Sequence, residues 1–194
     1  MGIESVLIAA NCLDETIRMS SIIGNLLLLA HADAGQDAMK REPVNLKDLV
    51  QETYAESTVI ASEKSISVTL TNTEDAVILG DAERLRQMLL NLIDNAVKYN
   101  RINGKIAISL TRQNGQAKIS VADTGIGIPG REIPRIFDRF YRVDRARSRE
   151  LGGSGLGLSI VQWIVQAHHG TINVASEINK GSEFSIFSPI SSSN

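Results

Sequence analysis

Cysteine is almost absent from this chain: Cys12 stands alone, so no disulfide can close within it and a disulfide-stapled scaffold is excluded. That suits a reducing compartment, and a lone thiol inside an apolar helical stretch is expected to be a small core residue. An excess of one charge is also missing. Twenty basic and 22 acidic residues leave a net charge of −2, too weak a field to hold a polynucleotide or an anionic membrane. The most apolar run, residues 22–30, contains Asn25 and is far shorter than the roughly 20 residues that span a bilayer. The start Met1-Gly2-Ile3-Glu4 lacks the basic flank of a signal peptide, so a cytoplasmic location with no membrane contact by this segment is expected. His168 and His169 are adjacent and cannot share a helix face, and no cysteine or acid is spaced to complete a zinc site with them. A Ser/His/Asp constellation has no supporting motif.

At 194 residues, 43% of them hydrophobic, the chain can form one well-buried domain with an appendage but not two full domains. From residue 3 to about 31, Leu13, Ile17, Met19, Ile22, Ile23, Leu26, Leu27 and Ala30 recur at helical spacing, with Asp14, Glu15, Arg18 and Asn25 opposite. This pattern predicts one long amphipathic helix. Ala34-Gly35-Gln36-Asp37 breaks it, and the polar stretch to Pro43 reads as a linker with a boundary near residue 40. Asn45 then caps a helix to about residue 62, with Leu46, Leu49, Val50 and Ala61 as its buried stripe. Strands are expected over 65–70 and 76–79, and Asp81 caps a helix reaching Tyr99. Residues 105–111 and 116–122 alternate at period two around Asn114-Gly115, a strong hairpin signal. A helix over 155–168 stops at Gly170, with His168 and His169 as donors or cations at its C-terminus. Strands over 171–177 and 182–188 flank Asn179-Lys180-Gly181. Such an order predicts helices on one face of a mixed sheet.

Three sites of different chemistry follow one another. Asn91, Asn95 and Lys98 are spaced by four and three, so they share one helix face while Leu89, Leu92 and Val97 point elsewhere. The face reads as solvated surface or as a ligand contact: an amide oxygen on Asn95 suits Mg²⁺, Lys98 is a point charge for a phosphate, and Tyr99 either flanks the ligand or packs half-buried. Asp123 ends a strand before Gly125 and Gly127, where a carboxylate can accept from the exocyclic amine of adenine and glycines admit a close approach. An Asx turn explains Asp-x-Gly, but not the run Gly125-Ile126-Gly127-Ile128-Pro129. Residues 130–152 follow, with Arg142, Arg145, Arg147 and Arg149 behind Phe137, Phe140 and Tyr141. They read as a mobile lid over a triphosphate, or as a solvated charged loop. Gly153, Gly155 and Gly157 open a helix whose first N–H groups favour an anion; a basic loop rather than a strand precedes them, so the dinucleotide fingerprint is not met.

In this order the motifs resemble the ATP-binding catalytic domain of bacterial sensor histidine kinases, preceded by part of their dimerisation hairpin. The likeness runs from about Thr16 to Phe187, through an N box over 91–100, a first glycine box over 123–129, a phenylalanine box over 136–141 and a second glycine box over 153–158. The resemblance implies a two-layer α/β sandwich of the histidine kinase, gyrase and heat-shock chaperone ATPase type. It assigns residues 1–34 to the second hairpin helix, 35–44 to a linker, 45–190 to the catalytic domain and 191–194 to a tail. It further implies ATP and Mg²⁺ as cofactors. Asn91, Asn95, Lys98, Tyr99, Asp123, Gly125, Gly127, Gly153, Gly155, Leu156 and Gly157 would contact the nucleotide, with Asn95 as the metal ligand and Asn95, Lys98 and Arg149 as the catalytic set. The implied partners are a response regulator receiver domain, the phosphoacceptor hairpin helix and, at full length, a second copy in a homodimer anchored at the inner membrane.

Two departures shape the mechanism that the resemblance implies. The gyrase, mismatch-repair and chaperone ATPases carry a Glu four residues before the magnesium Asn as general base; here Asn91 stands there, and an amide cannot take the proton. A His-Glu-Leu-Arg-Thr-Pro acceptor motif occurs nowhere in the sequence. His31, with no following proline or acidic neighbour, reads as structural. A kinase module acting on a histidine outside this chain is therefore favoured over an ATPase motor and over a nucleotide sensor without turnover, and the chain alone is expected to be inactive.

Overall fold

The structure, a computed structural model, describes residues 2–35, 39–62, 64–143 and 153–191, and for residues 2–11, 14 and 18 the backbone alone. The chain divides into two compact units, Met1–Ala38 and Met39–Asn194. The first is a single helix, α1 (Gly2–Asp33). Its apolar stripe is uncovered: Leu13, Ile17, Met19, Ile23 and Leu27 are all more than half exposed. Cys12 is exposed too, against the core position expected for it, because it lies on an exposed stretch of the helix; the buried apolar residues of α1 are Leu28 and Leu29, nearer its C-terminal end.

The second unit is built from β1 (Glu42–Asn45), α2 (Leu46–Ser62), β2 (Ser67–Thr73), β3 (Val77–Gly80), α3 (Ala82–Lys98), β4 (Lys105–Gln113), β5 (Gln116–Asp123), a 3₁₀ turn (Ile133–Arg135), α4 (Gly157–Ala167), β6 (Thr171–Glu177) and β7 (Gly181–Pro189). Five strands form one sheet in the order β2-β4-β5-β7-β6. The β2–β4 pair is parallel and the others antiparallel, so the sheet is mixed as expected. Register explains why only one face is oily. Ile108 pairs with Val121 and Leu110 with Ile119, and these two β5 residues pair with Phe184 and Ile186; directly paired residues project to the same face. All six are buried. The helices close over that face with Leu46, Leu49 and Val50 of α2, Leu85, Met88, Leu89, Leu92 and Ile93 of α3, and Ile160, Val161, Ile164 and Val165 of α4. The result is the two-layer sandwich that the pattern predicts.

Local chemistry fixes the element ends. Asn45 Oδ1 accepts from Lys47 N–H at 3.0 Å, and Asp81 Oδ1 accepts from Glu83 and Arg84 N–H at 3.1 and 3.2 Å, as N-caps should. Asn114 and Gly115 take φ of 51° and 76°, the left-handed pair of a tight hairpin turn. Two ends differ from expectation. Residues 42–44, read as the end of the linker, form with Asn45 a strand pairing with β3 (Pro43 with Leu79, Val44 with Ile78); four residues carrying a proline are too few to show periodicity. Helix α4 ends at Ala167 with His168 as its C-cap, and its left-handed stop residue is His169 rather than Gly170. His169 takes φ +56°, while its N–H reaches Gln166 O and Gly170 N–H reaches Val165 O, each at 2.9 Å, the paired bonds of a Schellman stop.

Since Leu92 is 1% exposed, Leu92→Ala should remove roughly 2–5 kcal/mol of stability. Asp81→Ala, which strips a cap, should remove about 1 kcal/mol. Urea unfolding checks both: midpoints that fall in the reverse order would contradict this account of what holds α3.

Candidate functional site

Helix α3 has two opposite faces. Leu92, Ile93, Ala96 and Val97 are buried, which leaves Asn91, Asn95 and Lys98 half-buried on the other side. Asn91 meets the start of α4: a Cβ on Gly157 would lie 3.5 Å from Asn91 Oδ1. The Asn91 Nδ2 is buried and has no hydrogen-bond partner among the described residues. Lys98 Nζ is held by Asp94 at 2.6 Å, one helical turn back, so the charge read as free for a phosphate already has a counterion. The i,i+4 spacing of Asp94 and Lys98 is a signal that sequence reasoning passed over.

The first glycine box is wedged between α3 and the β6–β7 hairpin. Ile126 N–H donates to Tyr99 O at 3.1 Å, and Asn179 N–H donates to Ile126 O at 2.8 Å. Gly125 has to be glycine here, because a Cβ would stand 2.4 Å from Tyr99 O and 2.7 Å from Asp123 Oδ1. Asp123 is partly buried at the end of β5. Burial pushes its carboxyl pKa up, against the opposing pull of N–H groups from Gly125 and Ser182; the Gly125 bond is 2.7 Å long. A carboxylate is thus kept in a poorly solvated cleft with acceptor capacity to spare.

The second glycine box forms the facing wall. A Cβ on Gly153 would lie 3.6 Å from Arg142 Nη2 and 3.8 Å from the Tyr99 hydroxyl. Tyr99 therefore links both glycine boxes, by its carbonyl to one and its hydroxyl side to the other. Arg142 Nε and Nη2 are buried with no hydrogen-bond partner among the described residues. The start of α4 carries no side-chain cap, which leaves its first N–H groups for an anion. Leu156, expected at the ligand, is fully buried and offers backbone alone.

Phe140, among the aromatics ahead of the lid arginines, does not pack its ring into the core. Its side chain is 59% exposed, and the backbone does the fastening: Phe140 N–H donates to Gly155 O at 2.9 Å. Phe140 has φ +62° and Gly155 φ +74°, conformations imposed where the two backbones touch. Buried Ile136 roots this segment, and Tyr141 donates to Glu132 under the guanidinium of Arg135, 4.4 Å from the ring centre. Arg145, Arg147 and Arg149, with most of the expected lid, fall in 144–152, outside the described residues.

The structure thus brings Asn91 to Gly157, and Tyr99 to Gly125 and Gly153 with Arg142 beside them, while Gly127 approaches Glu177 O, Gly155 approaches Phe140, and Asn95 and Lys98 share the α3 face of Asn91 with Asp94 paired to Lys98. Among the described residues no group of three or more His, Cys, Asp or Glu could hold a metal. A Mg²⁺ ion that takes its shell mainly from phosphates and water needs no such group, and the amide oxygen of Asn95 is of the right kind.

Comparison with known proteins agrees with this geometry. Residues 80–192 match the family described as histidine kinase-, DNA gyrase B- and HSP90-like ATPase. The signal transduction histidine-protein kinase ArlS of Staphylococcus aureus (strain USA300) is 37% identical over 174 residues, covering 90% of this chain and 38% of the relative. The chain thus spans well under half the length of this curated relative. Among solved structures, the mycobacterial sensor histidine kinase MprB overlays with a TM-score of 0.68 at 28% identity, covering 77% of this chain and 97% of its own. Full-length ShkA, in complex with AMPPNP, overlays with a TM-score of 0.83 at 29% identity, covering 98% of this chain and 39% of that one. The chain belongs to the histidine kinase-, DNA gyrase B- and HSP90-like ATPase family, as an ATP-binding catalytic domain of the histidine kinase type.

Proposed function

We propose that the cleft binds Mg·ATP and passes its γ-phosphoryl group to a histidine on a hairpin helix outside this chain, in two-component signalling. One observation carries the reading: the buried, unpartnered donors of Asn91 and Arg142 face the two ends of the second glycine box, beside the uncapped start of α4. Donors buried without acceptors are costly, and a polyphosphate would satisfy all three together. In this reading Asp123 accepts from the adenine amine, Asn95 takes one coordination position of Mg²⁺, and Lys98 exchanges Asp94 for phosphate oxygen. Bound Mg²⁺ would neutralise phosphate charge as the bond to the leaving ADP loosens. Complexation of the related ShkA with AMPPNP supports an adenine nucleotide as ligand.

Asn91 separates transfer from hydrolysis. Its amide accepts no proton, so an attacking water would lack a base, whereas an imidazole nitrogen attacks with its own lone pair. The acceptor is supplied from elsewhere, since the chain lacks the acceptor motif. The uncovered stripe of Leu13, Ile17, Ile23 and Leu27 supports pairing of α1 with that hairpin and a homodimeric four-helix bundle. A response regulator receiver domain is the next phosphoryl acceptor in this scheme, and the location is cytoplasmic, with any membrane anchor carried by other parts of the full-length protein.

Calorimetry should show Mg·ATP binding preferred over GTP. Asp123→Asn should weaken it about ten- to a hundredfold, the worth of a hydrogen bond to a charged group. The folded pKa of Asp123 lies above the ordinary 3.8, so the folded state binds more protons in the window above that value and loses stability as pH rises through it. Asp123→Asn should remove that slope in pH-dependent melting; equal GTP binding or an unchanged slope would discard the assignment.

With ATP alone the chain should neither label itself nor hydrolyse quickly. Adding the first hairpin helix should give acid-labile, base-stable phosphate on that helix, lost on Asn95→Ala. Equal labelling of the chain alone that disappears on His31→Ala would overturn the scheme.

A further inference from the structure

The family's recognised boxes leave one buried titratable group without a part: His168, at the far end of α4. It is 6% exposed and both ring nitrogens are engaged. Nδ1 lies 2.7 Å from Ile164 O, a carbonyl that can only accept, so Nδ1 carries the hydrogen. Nε2 therefore accepts, and Asp81 N–H donates to it at 3.0 Å. Asp81 is the N-cap of α3. Gly80 leaves the imagined Cβ position to the ring: a Cβ there would stand 2.5 Å from His168 Cδ2 and 2.7 Å from Nε2.

Both ends of helix α4 are therefore tied to α3. The end of α4 is bonded to the start of α3 through His168 and Asp81, and the start of α4 meets Asn91 through Gly157. They run antiparallel, clamped at one end and bearing the phosphate donors at the other, ten residues or about 15 Å along α3. We propose that His168 is a positioning residue for the nucleotide site: its neutral imidazole fixes α4 against the start of α3, sets the Asn91–Gly157 separation, and releases both when it is protonated. This rests on the reading of the α3–α4 gap as the phosphate site.

The proton has a single place to go. Nε2 is the free lone pair, and a hydrogen there would confront the Asp81 N–H that now donates to it. The charged groups facing the ring are the Asp81 carboxylate at the start of α3, Arg41 just before β1, and His169 beside it. Burial lowers the pKa of His168 below its ordinary 6.5; the Ile164 bond and Asp81 oppose this, while Arg41 and His169 add to it. A depressed histidine pKa places the full contribution above the ordinary value, and it is lost as pH falls through 6.5 towards the folded value.

The test compares wild type, His168→Gln, His168→Leu and Gly80→Ala for Mg·ATP affinity between pH 8 and 5.5, with the amide resonances of Asn91 and Gly157 as a local readout. Glutamine can return an acceptor to Asp81 N–H but cannot titrate. At pH 8, wild type and His168→Gln should bind alike, whereas His168→Leu and Gly80→Ala, folded by circular dichroism, should bind about tenfold more weakly, within the usual range of coupling between distant sites. As His168 takes up its proton below pH 6.5, wild type should lose affinity that His168→Gln keeps, with the Asn91 and Gly157 amides shifting in step with the loss. Titration of the nucleotide's own phosphate is common to both and cancels. Matching pH profiles, or a folded His168→Leu chain that binds like wild type with Asn91 and Gly157 unmoved, would overturn the clamp alone. No binding by wild type at pH 8 would overturn the nucleotide reading and the clamp with it. Should His168→Leu fail to fold, the wild-type against His168→Gln profile decides.

Discussion

Burial of one face of α3 is the constraint on which the site depends. Leu85, Met88, Leu89, Leu92, Ile93, Ala96 and Val97 are driven against the sheet, and once they are fixed the rotation of the helix is fixed as well. Asn91, Asn95 and Lys98 then have a single direction available. The cleft is thus a by-product of core packing: hydrophobic area sets the angle, and directed polar groups use what remains. The same helix fixes the glycine loops, because Tyr99 O receives Ile126 N–H and Asn91 touches Gly157.

The site residues are individually uncomfortable. Asp123 is a desolvated carboxylate, Asn91 and Arg142 hold buried unpaired donors, and Phe140 takes a left-handed backbone. Each is a departure from local consistency, and they crowd into one region. Such crowding is expected where a surface is shaped for a partner rather than for itself.

Much of this was legible in the residues alone, for physical reasons that can be named. Asn45 and Asp81 announce helix starts because their side chains imitate a missing carbonyl, and Asn114-Gly115 announces a turn because few other residues tolerate its dihedrals. The spacing of Asn91, Asn95 and Lys98 is a geometric statement about one face. What escaped depends on contacts between segments distant in sequence. Strand β1 exists because β3 lies beside it. His169 adopts a left-handed conformation although a glycine follows, because Gly170 is pressed to 2.6 Å, by its imagined Cβ, from Phe187 O and is used for that approach instead. Cys12 sits on an exposed stretch of a helix that is apolar in pattern, and periodicity alone cannot distinguish a core stripe from an exposed one. Asp94 was readable from its spacing to Lys98, but attention to the ligand face hid the ion pair.

The final strand also governs when the cleft can exist. Strand β7 is not at an edge: it lies between β5 and β6, pairing Gln116 with Pro189 at one end and Asp123 with Ser182 at the other. Until it arrives, β6 has no neighbour, the hairpin that supports Ile126 is unmade, and Asp123 lacks the Ser182 N–H beside it. A ribosome delivering this chain therefore completes α3, β5 and α4 before any of them can form a nucleotide cleft. These pairings join residues from 59 (Asp123 with Ser182) to 73 (Gln116 with Pro189) positions apart, so loop closure has to precede their reward and assembly is slow. Competence for nucleotide comes as the last event of folding, and a nascent chain cut short before residue 181 would carry every box and no site.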